Sequence, residues 1–224
     1  MELKDKIVFV TGSSKGIGEA IVKAFSIEGA RVVITYNSDL EGAQKVSDEC
    51  KKLGAADALV INLNVASGDS IRNAVSEIED KWGHIDILIN NAGVIAWEKF
   101  DKETFEDIEN QVRTNLEGVI KMTWATLPLL KEGLINVASR AGHIPYPGRA
   151  TYCATKFGVI GFTKSLALEY PGLKIFSVSP GATKTEMWNF ESGADPSKVA
   201  ELIVKAWKGE VDLKDGDLNV WELI

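Results

Sequence analysis

Residues 7–28 constrain the fold of this chain more than any other segment. They begin with an uninterrupted apolar run, IVFVT (7–11), continue through the glycine-rich turn GSSKGIG (12–18), and end in a predicted helix over 19–28. An apolar run without alternation predicts a strand that is covered on both faces, as in a parallel sheet. The segment therefore predicts an α/β fold with helices on both faces of the sheet.

Three glycines, Gly12, Gly16 and Gly18, separate the first predicted strand from the first helix. Glycine permits a tight turn and a close approach of the backbone to a ligand, and free N–H groups at a helix N-terminus bind anions. The spacing G-x-x-x-G-x-G differs from the commoner dinucleotide fingerprint G-x-G-x-x-G. Turn geometry alone could explain three glycines, but their position favours phosphate binding.

Strand and helix alternate along the rest of the chain, which predicts right-handed crossovers and a parallel sheet. We expect one Rossmann-type, doubly wound domain over 1–224, with a cofactor-binding half (1–93) and a catalytic and substrate half (94–224). Further strands are predicted at 31–36, 58–63, 85–90, 134–139, 174–179 and 218–223, and further helices at 40–53, 69–82, 103–131, 151–170 and 196–207.

Charge and composition narrow the classes of partner. The chain carries 25 basic and 32 acidic side chains, a net charge of -7, and no basic run. Nucleic acid and anionic membranes are therefore poor candidates for partners. The sequence has no apolar leader and no apolar run of membrane-spanning length, so we expect a cytoplasmic protein. Two histidines are too few for a histidine-based metal site and the two cysteines lack metal-ligand spacing, so no metal is predicted.

Tyr152 and Lys156 stand four residues apart near the start of a predicted helix and so share one face. An unperturbed tyrosine has a pKa near ~10, and proton transfer near neutrality needs that value lowered by roughly 3. An ammonium group beside the phenol favours the phenolate and supplies part of the shift. Such a pair also arises by chance on many helices. Ser139, at the end of the fifth predicted strand, lies where ligands bind in open α/β sheets.

The end of the second predicted strand bears on the choice of cofactor. In a dinucleotide fold, an acidic residue there holds the ribose 2′-hydroxyl and repels a 2′-phosphate. This chain has Tyr36, Asn37 and Ser38 at that place, Asp39 one residue later, and Lys15 in the glycine turn. The combination favours NADP(H), with NAD(H) as the alternative, because Lys15 could also be a solvated loop charge.

Six motifs in order resemble the short-chain dehydrogenases/reductases, over residues 6–187. They are TGSSKGIG (11–18), NNAG (90–93), Asn115 in TNLEGV, Ser139 in NVAS, Tyr152-x-x-x-Lys156 and PGATKT (180–185). Within that family the chain looks most similar to the oxoacyl-thioester reductases and the sugar and alcohol dehydrogenases. The resemblance implies about seven strands in the order 3-2-1-4-5-6-7, and hydride transfer between a nicotinamide and a carbonyl or alcohol carbon.

The resemblance also implies roles for single residues. Tyr152 would donate or accept the proton, Lys156 would tune the phenol and bind the nicotinamide ribose, and Ser139 would hydrogen-bond the same substrate oxygen. Asn115 would hold a proton-relaying water, or would only satisfy helix carbonyls. The implied cofactor-binding residues are Gly12, Ser14, Lys15, Gly16, Ile17, Gly18, Asn37, Ser38, Asn64, Val65, Asn91, Gly93, Tyr152, Lys156, Pro180, Gly181, Thr183 and Thr185.

The expected substrate is a small, largely apolar carbonyl or alcohol compound, because aromatic side chains dominate the predicted pocket. Two departures from the family pattern affect the substrate side. Only residues 131–133 are expected to link the predicted helix to the fifth strand, and the segment after Thr185 is short. His143 and Trp97 could equally be ordinary loop residues. The predicted lining is Val94, Ile95, Trp97, His143, Tyr146, Met187 and Trp188.

Two other functions remain open on the sequence. A non-enzymatic dinucleotide sensor could use the same fold, but it would be expected to lose the Tyr/Lys pair that this chain keeps. A sugar-nucleotide epimerase or dehydratase would generally be longer and would carry a G-x-x-G-x-x-G turn.

Apolar residues beyond the needs of one covered helix face predict a homodimer, with a tetramer as the alternative. They lie on the Tyr152 helix and on the predicted helix through Asn115, which would form a two-fold contact. The residues concerned are Met122, Trp124, Phe157, Ile160 and Phe162.

Overall fold

The computed structural model describes residues 2–189 and 192–224. Strands and helices alternate from the first strand onward, as the apolar runs predict. The strands are β1 (Ile7–Val10), β2 (Arg31–Tyr36), β3 (Asp57–Asn62), β4 (Ile85–Asn90), β5 (Leu130–Val137), β6 (Lys174–Val178) and β7 (Asp217–Leu218). The helices are α1 (Gly16–Ile27), α2 (Leu40–Leu53), α3 (Gly68–Trp82), α4 (Phe105–Val112), α5 (Gly118–Thr126), α6 (Ala150–Glu169), α7 (Pro196–Lys208) and α8 (Val220–Leu223).

The seven strands form one parallel sheet in the order β3-β2-β1-β4-β5-β6-β7, which confirms the predicted fold class. Strand β1 lies between β2 and β4, so Val8 pairs with Val32 on one side and with Ile87 on the other. The chain reverses its direction of winding at this strand, and ligands bind at such a switch point in open α/β sheets.

Helices cover both faces of the sheet because alternate strand residues point to opposite sides. Val8 and Val10 pack with α1, α2 and α7, where Phe25 and Trp207 are fully buried. Ile7 and Phe9 pack with α3, α5 and α6. Two continuous apolar layers therefore hold the sheet from both sides, and the carboxyl ends of the strands meet at one edge.

The link predicted at residues 131–133 is wrong, because these residues belong to β5. A 3-10 turn with Pro128 (Leu127–Leu129) ends the preceding helix, and β5 begins immediately after it. Gly133 has φ 155°, and a Cβ there would lie 2.0 Å from the Lys174 carbonyl oxygen. A glycine is therefore required for β5 to pair with β6 at this position.

The predicted helix 103–131 is three consecutive elements. Thr104 and Asp107 form a capping box at the start of α4, a π-helical turn (Arg113–Glu117) follows, and α5 continues from Gly118. A π-helical turn changes the direction in which its side chains point relative to a regular helix. Asn115 lies within this turn and is fully buried.

The predicted last strand (218–223) is also wrong, because β7 has only two residues and α8 follows it. The Val220 N–H donates to the Ser179 carbonyl oxygen at 3.1 Å, and the chain then turns away from the sheet. Apart from β5, which begins four residues earlier than predicted, the other predicted strands and helices begin and end within three residues of the observed bounds.

A buried chain of amide and hydroxyl groups fixes α6 against the sheet. The Asn90 side-chain amide donates to Asn136 Oδ1 at 2.9 Å, and the Asn136 amide donates to Thr163 Oγ1 at 2.9 Å. Because all three side chains are buried, their hydrogen bonds also specify which residues face each other across β4, β5 and α6.

Within the described ranges, none of the helices combines the length and the apolar content that a membrane crossing requires.

Candidate active site

A cleft of about 1570 Å³ opens at the carboxyl ends of the strands. It runs from the glycine turn, past the ends of β1 and β4, to the start of α6 and the segment that follows β6. Pockets for one drug-sized ligand measure about 300–1,000 Å³. The cleft therefore has room for a dinucleotide together with a second, smaller molecule.

The glycine turn lets backbone segments lie closer together than any side chain would permit. Gly12 and Gly16 have φ of 64° and 63°, and a Cβ on Gly12 would lie 2.9 Å from the Ala92 Cα. A Cβ on Gly18 would lie 2.3 Å from the Gly12 carbonyl oxygen. The N-cap residue of α1 is Lys15, and within the described part of the chain no side chain forms a capping hydrogen bond there. Its first N–H groups are therefore free for an anion, which fits the pyrophosphate of a dinucleotide.

Every predicted cofactor-binding residue lines this cleft except Gly18, which is buried behind the turn. Asn91 has a clear structural role, because its side-chain amide donates to the carbonyl oxygens of Thr11 and Gly12 at 3.0 and 3.1 Å. Asn37 and Ser38 are exposed at the end of β2. Asp39 caps α2 by accepting from the Gly42 N–H at 2.8 Å, so its carboxylate is already engaged.

Lys15 reaches across the mouth of the cleft to the segment after β6. Its Nζ lies 2.5 Å from Glu186 Oε2, and both side chains are 65% exposed. Glu186 has no local signal in the sequence, because the two residues are 171 positions apart. The pair joins the glycine turn to the short 3-10 helix Glu186–Trp188.

Lys156 is a buried ammonium group at the centre of the site. It projects from α6 so that its Nζ donates to the Val137 carbonyl oxygen of β5 at 2.9 Å. The same Nζ lies 5.7 Å from the centroid of the Tyr152 ring. Burial lowers the pKa of Lys156 from 10.5 to about 8. The predicted sharing of one helix face by Tyr152 and Lys156 is therefore observed.

The pKa of the Tyr152 phenol is shifted in the direction opposite to the one expected. Burial raises the pKa of Tyr152, while the Ser139 hydroxyl and the Arg149 charge act in the opposite direction. Desolvation is the largest influence on this phenol and the Lys156 ammonium is directed to Val137, so the lowering of the Tyr152 pKa by Lys156 stays a prediction. Ser139 and Tyr152 nevertheless lie side by side in the cleft, as predicted.

Asn115 holds the backbone after β4 in place. Its Oδ1 accepts from the Val94 N–H and its Nδ2 donates to the Val94 carbonyl oxygen, both at 2.8 Å. The alternative that it satisfies helix carbonyls is wrong, because its partners are the Val94 backbone and, at 3.4 Å, the Thr155 hydroxyl oxygen. Its side-chain amide is occupied by these bonds, and the proton-relaying water stays a prediction.

His143 lies outside the cleft, which corrects its predicted place in the substrate pocket. Its Nε2 is 3.1 Å from both Ser179 Oγ and Asp217 Oδ2, and its ring lies 4.9 Å from that of Trp221. Asp217 is buried, and a buried carboxylate needs such polar partners. His143 therefore ties the turn after Ser139 to β7. The sequence gives no local signal for this contact, because its partners lie 36 and 74 residues away.

The remaining predicted lining residues meet at the outer end of the cleft, together with a residue that the sequence analysis missed. The Trp97 and Trp188 rings pack edge to face with centroids 4.8 Å apart, and Trp97 Nε1 donates to the Met187 carbonyl oxygen at 3.2 Å. Arg149 lies among these aromatic rings and Tyr146. Its signal in the sequence is its position one helical turn before Tyr152. Val94 and Ile95 also line this end.

The fold and this cleft define a dinucleotide-binding oxidoreductase of the α/β class. The sequence matches the family model for short chain dehydrogenases over residues 6–195. The chain therefore belongs to the short-chain dehydrogenase family and is an NAD(P)-dependent oxidoreductase.

Individual relatives agree with this assignment. The chain is 34% identical over 191 residues to a 3-oxoacyl-[acyl-carrier-protein] reductase FabG of Staphylococcus epidermidis, covering 83% of this chain and 78% of the relative. It is 35% identical over 202 residues to 3beta-hydroxysteroid dehydrogenase 1 of Eggerthella lenta, covering 87% and 77%. A short chain dehydrogenase from Burkholderia cenocepacia, solved in complex with NADP, matches with a TM-score of 0.89 at 30% identity, covering 97% of both chains.

The burial of Lys156 leads to a prediction about stability. Keeping this ammonium charged in the folded protein at neutral pH costs on the order of 3 kcal/mol. Lys156→Met keeps the unbranched shape and removes the charge, but it also removes the hydrogen bond to the Val137 carbonyl oxygen. The two effects oppose each other, and we expect the free energy of unfolding at pH 7, measured by urea titration, to rise by about 1–3 kcal/mol.

The pH dependence of the free energy of unfolding tests whether the Lys156 charge causes this difference. Between pH 8 and 10.5 the unfolded Lys156 binds more protons than the folded one, so wild-type stability should rise through this range relative to Lys156→Met. A variant that is less stable than wild type at pH 7, with a parallel pH profile, would contradict the account.

Proposed function

We propose that this protein reduces a small carbonyl compound to an alcohol with NADPH, or catalyses the reverse oxidation, using Tyr152 as the proton donor and acceptor. The observation that carries the proposal is the convergence of Ser139, Tyr152 and Lys156 at one end of a cleft whose other end is the glycine turn. Three elements, β5, α6 and the turn between them, bring these side chains together.

The chemistry follows from what each side chain offers. A bound reduced nicotinamide would supply the hydride to the carbonyl carbon. As the π electrons move to the carbonyl oxygen, Tyr152 donates its phenolic proton to that oxygen and Ser139 donates a hydrogen bond to it. The Lys156 charge stabilises the phenolate that remains. Because burial raises the pKa of Tyr152, the phenol carries its proton at neutral pH, as an acid in the reductive direction must.

Tyr152→Phe tests this role directly. The ring keeps its packing and only the hydroxyl is lost, so NADPH oxidation with a carbonyl substrate should fall by at least about 10²-fold while NADPH affinity stays within a few-fold. Tyr170→Phe is the matched control: it removes the same hydroxyl from a residue at the end of the same helix, and it should leave turnover unchanged. Ordinary turnover in Tyr152→Phe would remove Tyr152 from the mechanism.

The preference for NADPH is proposed from the charges around the adenosine end of the cleft. The residues after β2 present an amide and a hydroxyl, Asn37 and Ser38, and the Asp39 carboxylate is engaged as a helix cap. Lys15 is the nearby cation, and its pair with Glu186 is exposed. An exposed ion pair contributes about 0–1 kcal/mol. A ribose 2′-phosphate forms a stronger charge-assisted bond and would displace Glu186 from Lys15.

Two variants separate the members of this pair. Lys15→Ala should weaken NADPH binding about tenfold and change NADH binding little, measured by the fluorescence of each reduced cofactor. Glu186→Gln removes the competing carboxylate, so NADPH binding should hold or tighten. Equal affinities for NADPH and NADH in the wild type, or a loss of NADPH affinity in Glu186→Gln equal to that in Lys15→Ala, would contradict the proposed preference.

A homodimer is proposed from the apolar surface of α5 and α6, with a correction to the predicted contact residues. Met122 and Ile160 are buried within the subunit and so cannot form the contact. Trp124 is 76% exposed and Phe157 is 45% exposed, and both are too large and apolar to be favourable in water. These two side chains support a two-fold contact through α5 and α6.

Light scattering tests the assembly at micromolar concentration. The wild type should have the mass of a dimer, and Trp124→Glu together with Phe157→Glu should yield a folded monomer, because a charge in an apolar contact is left unpaired. Leu53→Glu on α2 is the control, since it adds the same charge at a similarly exposed position. A monomeric wild type, or a dimer that survives the double substitution, would refute this arrangement.

A further inference from the structure

Four side chains form a compact cluster at the outer end of the cleft, which we call the arginine cluster: Trp97, Tyr146, Arg149 and Trp188. The Arg149 guanidinium carbon lies 4.3 Å from the Trp97 ring centroid, 4.9 Å from that of Trp188 and 5.2 Å from that of Tyr146. Guanidinium groups are held on aromatic faces by cation–π attraction and stacking. Three rings therefore fix one cation in place.

The aromatic rings hold the faces of the guanidinium group, but they do not satisfy its N–H edges. Arginine has five N–H donors and no acceptor. Over residues 2–189 and 192–224, the Arg149 side chain forms neither an ion pair nor a hydrogen bond. Arg140 adds a second positive charge near one of these rings, with its guanidinium carbon 5.9 Å from the Tyr146 centroid. Two positive charges therefore lie at these aromatic rings in a protein of net charge -7.

The position of Arg149 relates this charge to the reaction. Arg149 is the N-cap of α6, and Tyr152 stands three residues later in the first turn of the same helix. Both line the cleft, together with Ser139. The Arg149 charge is close enough to act on the pKa of the Tyr152 phenol. A molecule that reaches Tyr152 through the cleft therefore lies within range of the Arg149 charge.

We propose that Arg149 binds an anionic group of the substrate, which makes the preferred substrate an oxo acid with its carboxylate a few bonds from the carbonyl that is reduced. This inference rests on the proposed reductase function and narrows its substrate class. The aromatic lining alone suggests a largely apolar substrate, and the presence of Arg149 among the rings changes the expected substrate to an anionic one.

A carboxylate suits this site better than a neutral group does. Its two oxygens match the parallel N–H donors of a guanidinium group, and the bond is charge-assisted. The Trp97 and Trp188 rings hold the guanidinium group in position for such a pair. Trp97 also hydrogen-bonds the Met187 carbonyl, so the cluster is anchored to the segment that follows β6.

Paired substrates test the inference without a change to the protein. The probes are 3-oxobutanoate and 4-oxopentanoate, each beside its ethyl ester, with NADPH oxidation followed at pH 7. Each pair has the same reacting carbonyl and differs in the charge near Arg149. We expect kcat/KM to be at least about tenfold higher for one or both acids than for the matching ester.

Variants assign the selectivity to Arg149. Arg149→Gln should lower kcat/KM for the acid by about 10- to 100-fold and leave the ester within about threefold. Arg149→Lys keeps the charge but loses the forked donors, and its selectivity should be intermediate. Arg113→Gln, an exposed arginine on the π-helical turn outside the cleft, is the control that should change neither substrate. NADPH affinity and the unfolding temperature verify that each variant is folded.

The outcomes separate the two levels of the proposal. An effect of Arg149→Gln that is equal for acid and ester would show that the residue acts on Tyr152 or on the fold, and would overturn the assignment of an anion site. Esters reduced as well as acids by the wild type would overturn it too. Failure to reduce the four compounds, with NADPH bound and a neutral ketone reduced, would overturn the oxo-acid inference and leave the reductase function standing. Failure with the neutral ketones as well would overturn both.

Discussion

The junction between the ends of β1 and β4 is the constraint on which the rest of the site depends. The Thr11 hydroxyl oxygen accepts from the N–H groups of Asn91 and Ala92 at 2.9 and 3.0 Å. The Asn91 amide bonds back to Thr11 and Gly12, and the Gly12 Cα approaches Ala92 so closely that no Cβ fits. The two strands are thereby joined at the switch point of the sheet. The glycine turn and the loop after β4 then open in opposite directions and leave the cleft between them.

The end of the cleft that contains Ser139 and Tyr152 is held by a second set of buried polar contacts. Asn115 fixes the Val94 backbone, the Asn136–Thr163 bond seats α6 against β5, and Lys156 points inward to Val137. A buried ammonium with a lowered pKa is costly for stability and is typical of functional sites. Its cost is tolerated because the two apolar layers on either side of the sheet supply the stability of the domain.

The sequence predicted most of the fold because the signals were local. Apolar runs, glycine turns and one-turn spacings indicate strands, phosphate turns and shared helix faces without knowledge of distant partners. The same reasoning failed wherever a distant partner decides the outcome. His143 is drawn out of the pocket by Asp217, Lys15 is paired with Glu186, and residues 131–133 are recruited into β5 by β6. After β7 the chain turns into a helix, where the Val220 N–H donates to the Ser179 carbonyl oxygen.

The central claim is that this cleft transfers a hydride to a carbonyl carbon, and deuterium transfer measures that step most directly. NADPH carrying deuterium at the transferable position of the nicotinamide is incubated with the protein and the oxo acids and esters, and the alcohols are analysed by mass spectrometry. The account predicts one deuterium on the carbinol carbon of the product, and none when Tyr152→Phe replaces the wild type. NADPH that binds and yields no deuterated alcohol with any of the compounds would contradict it.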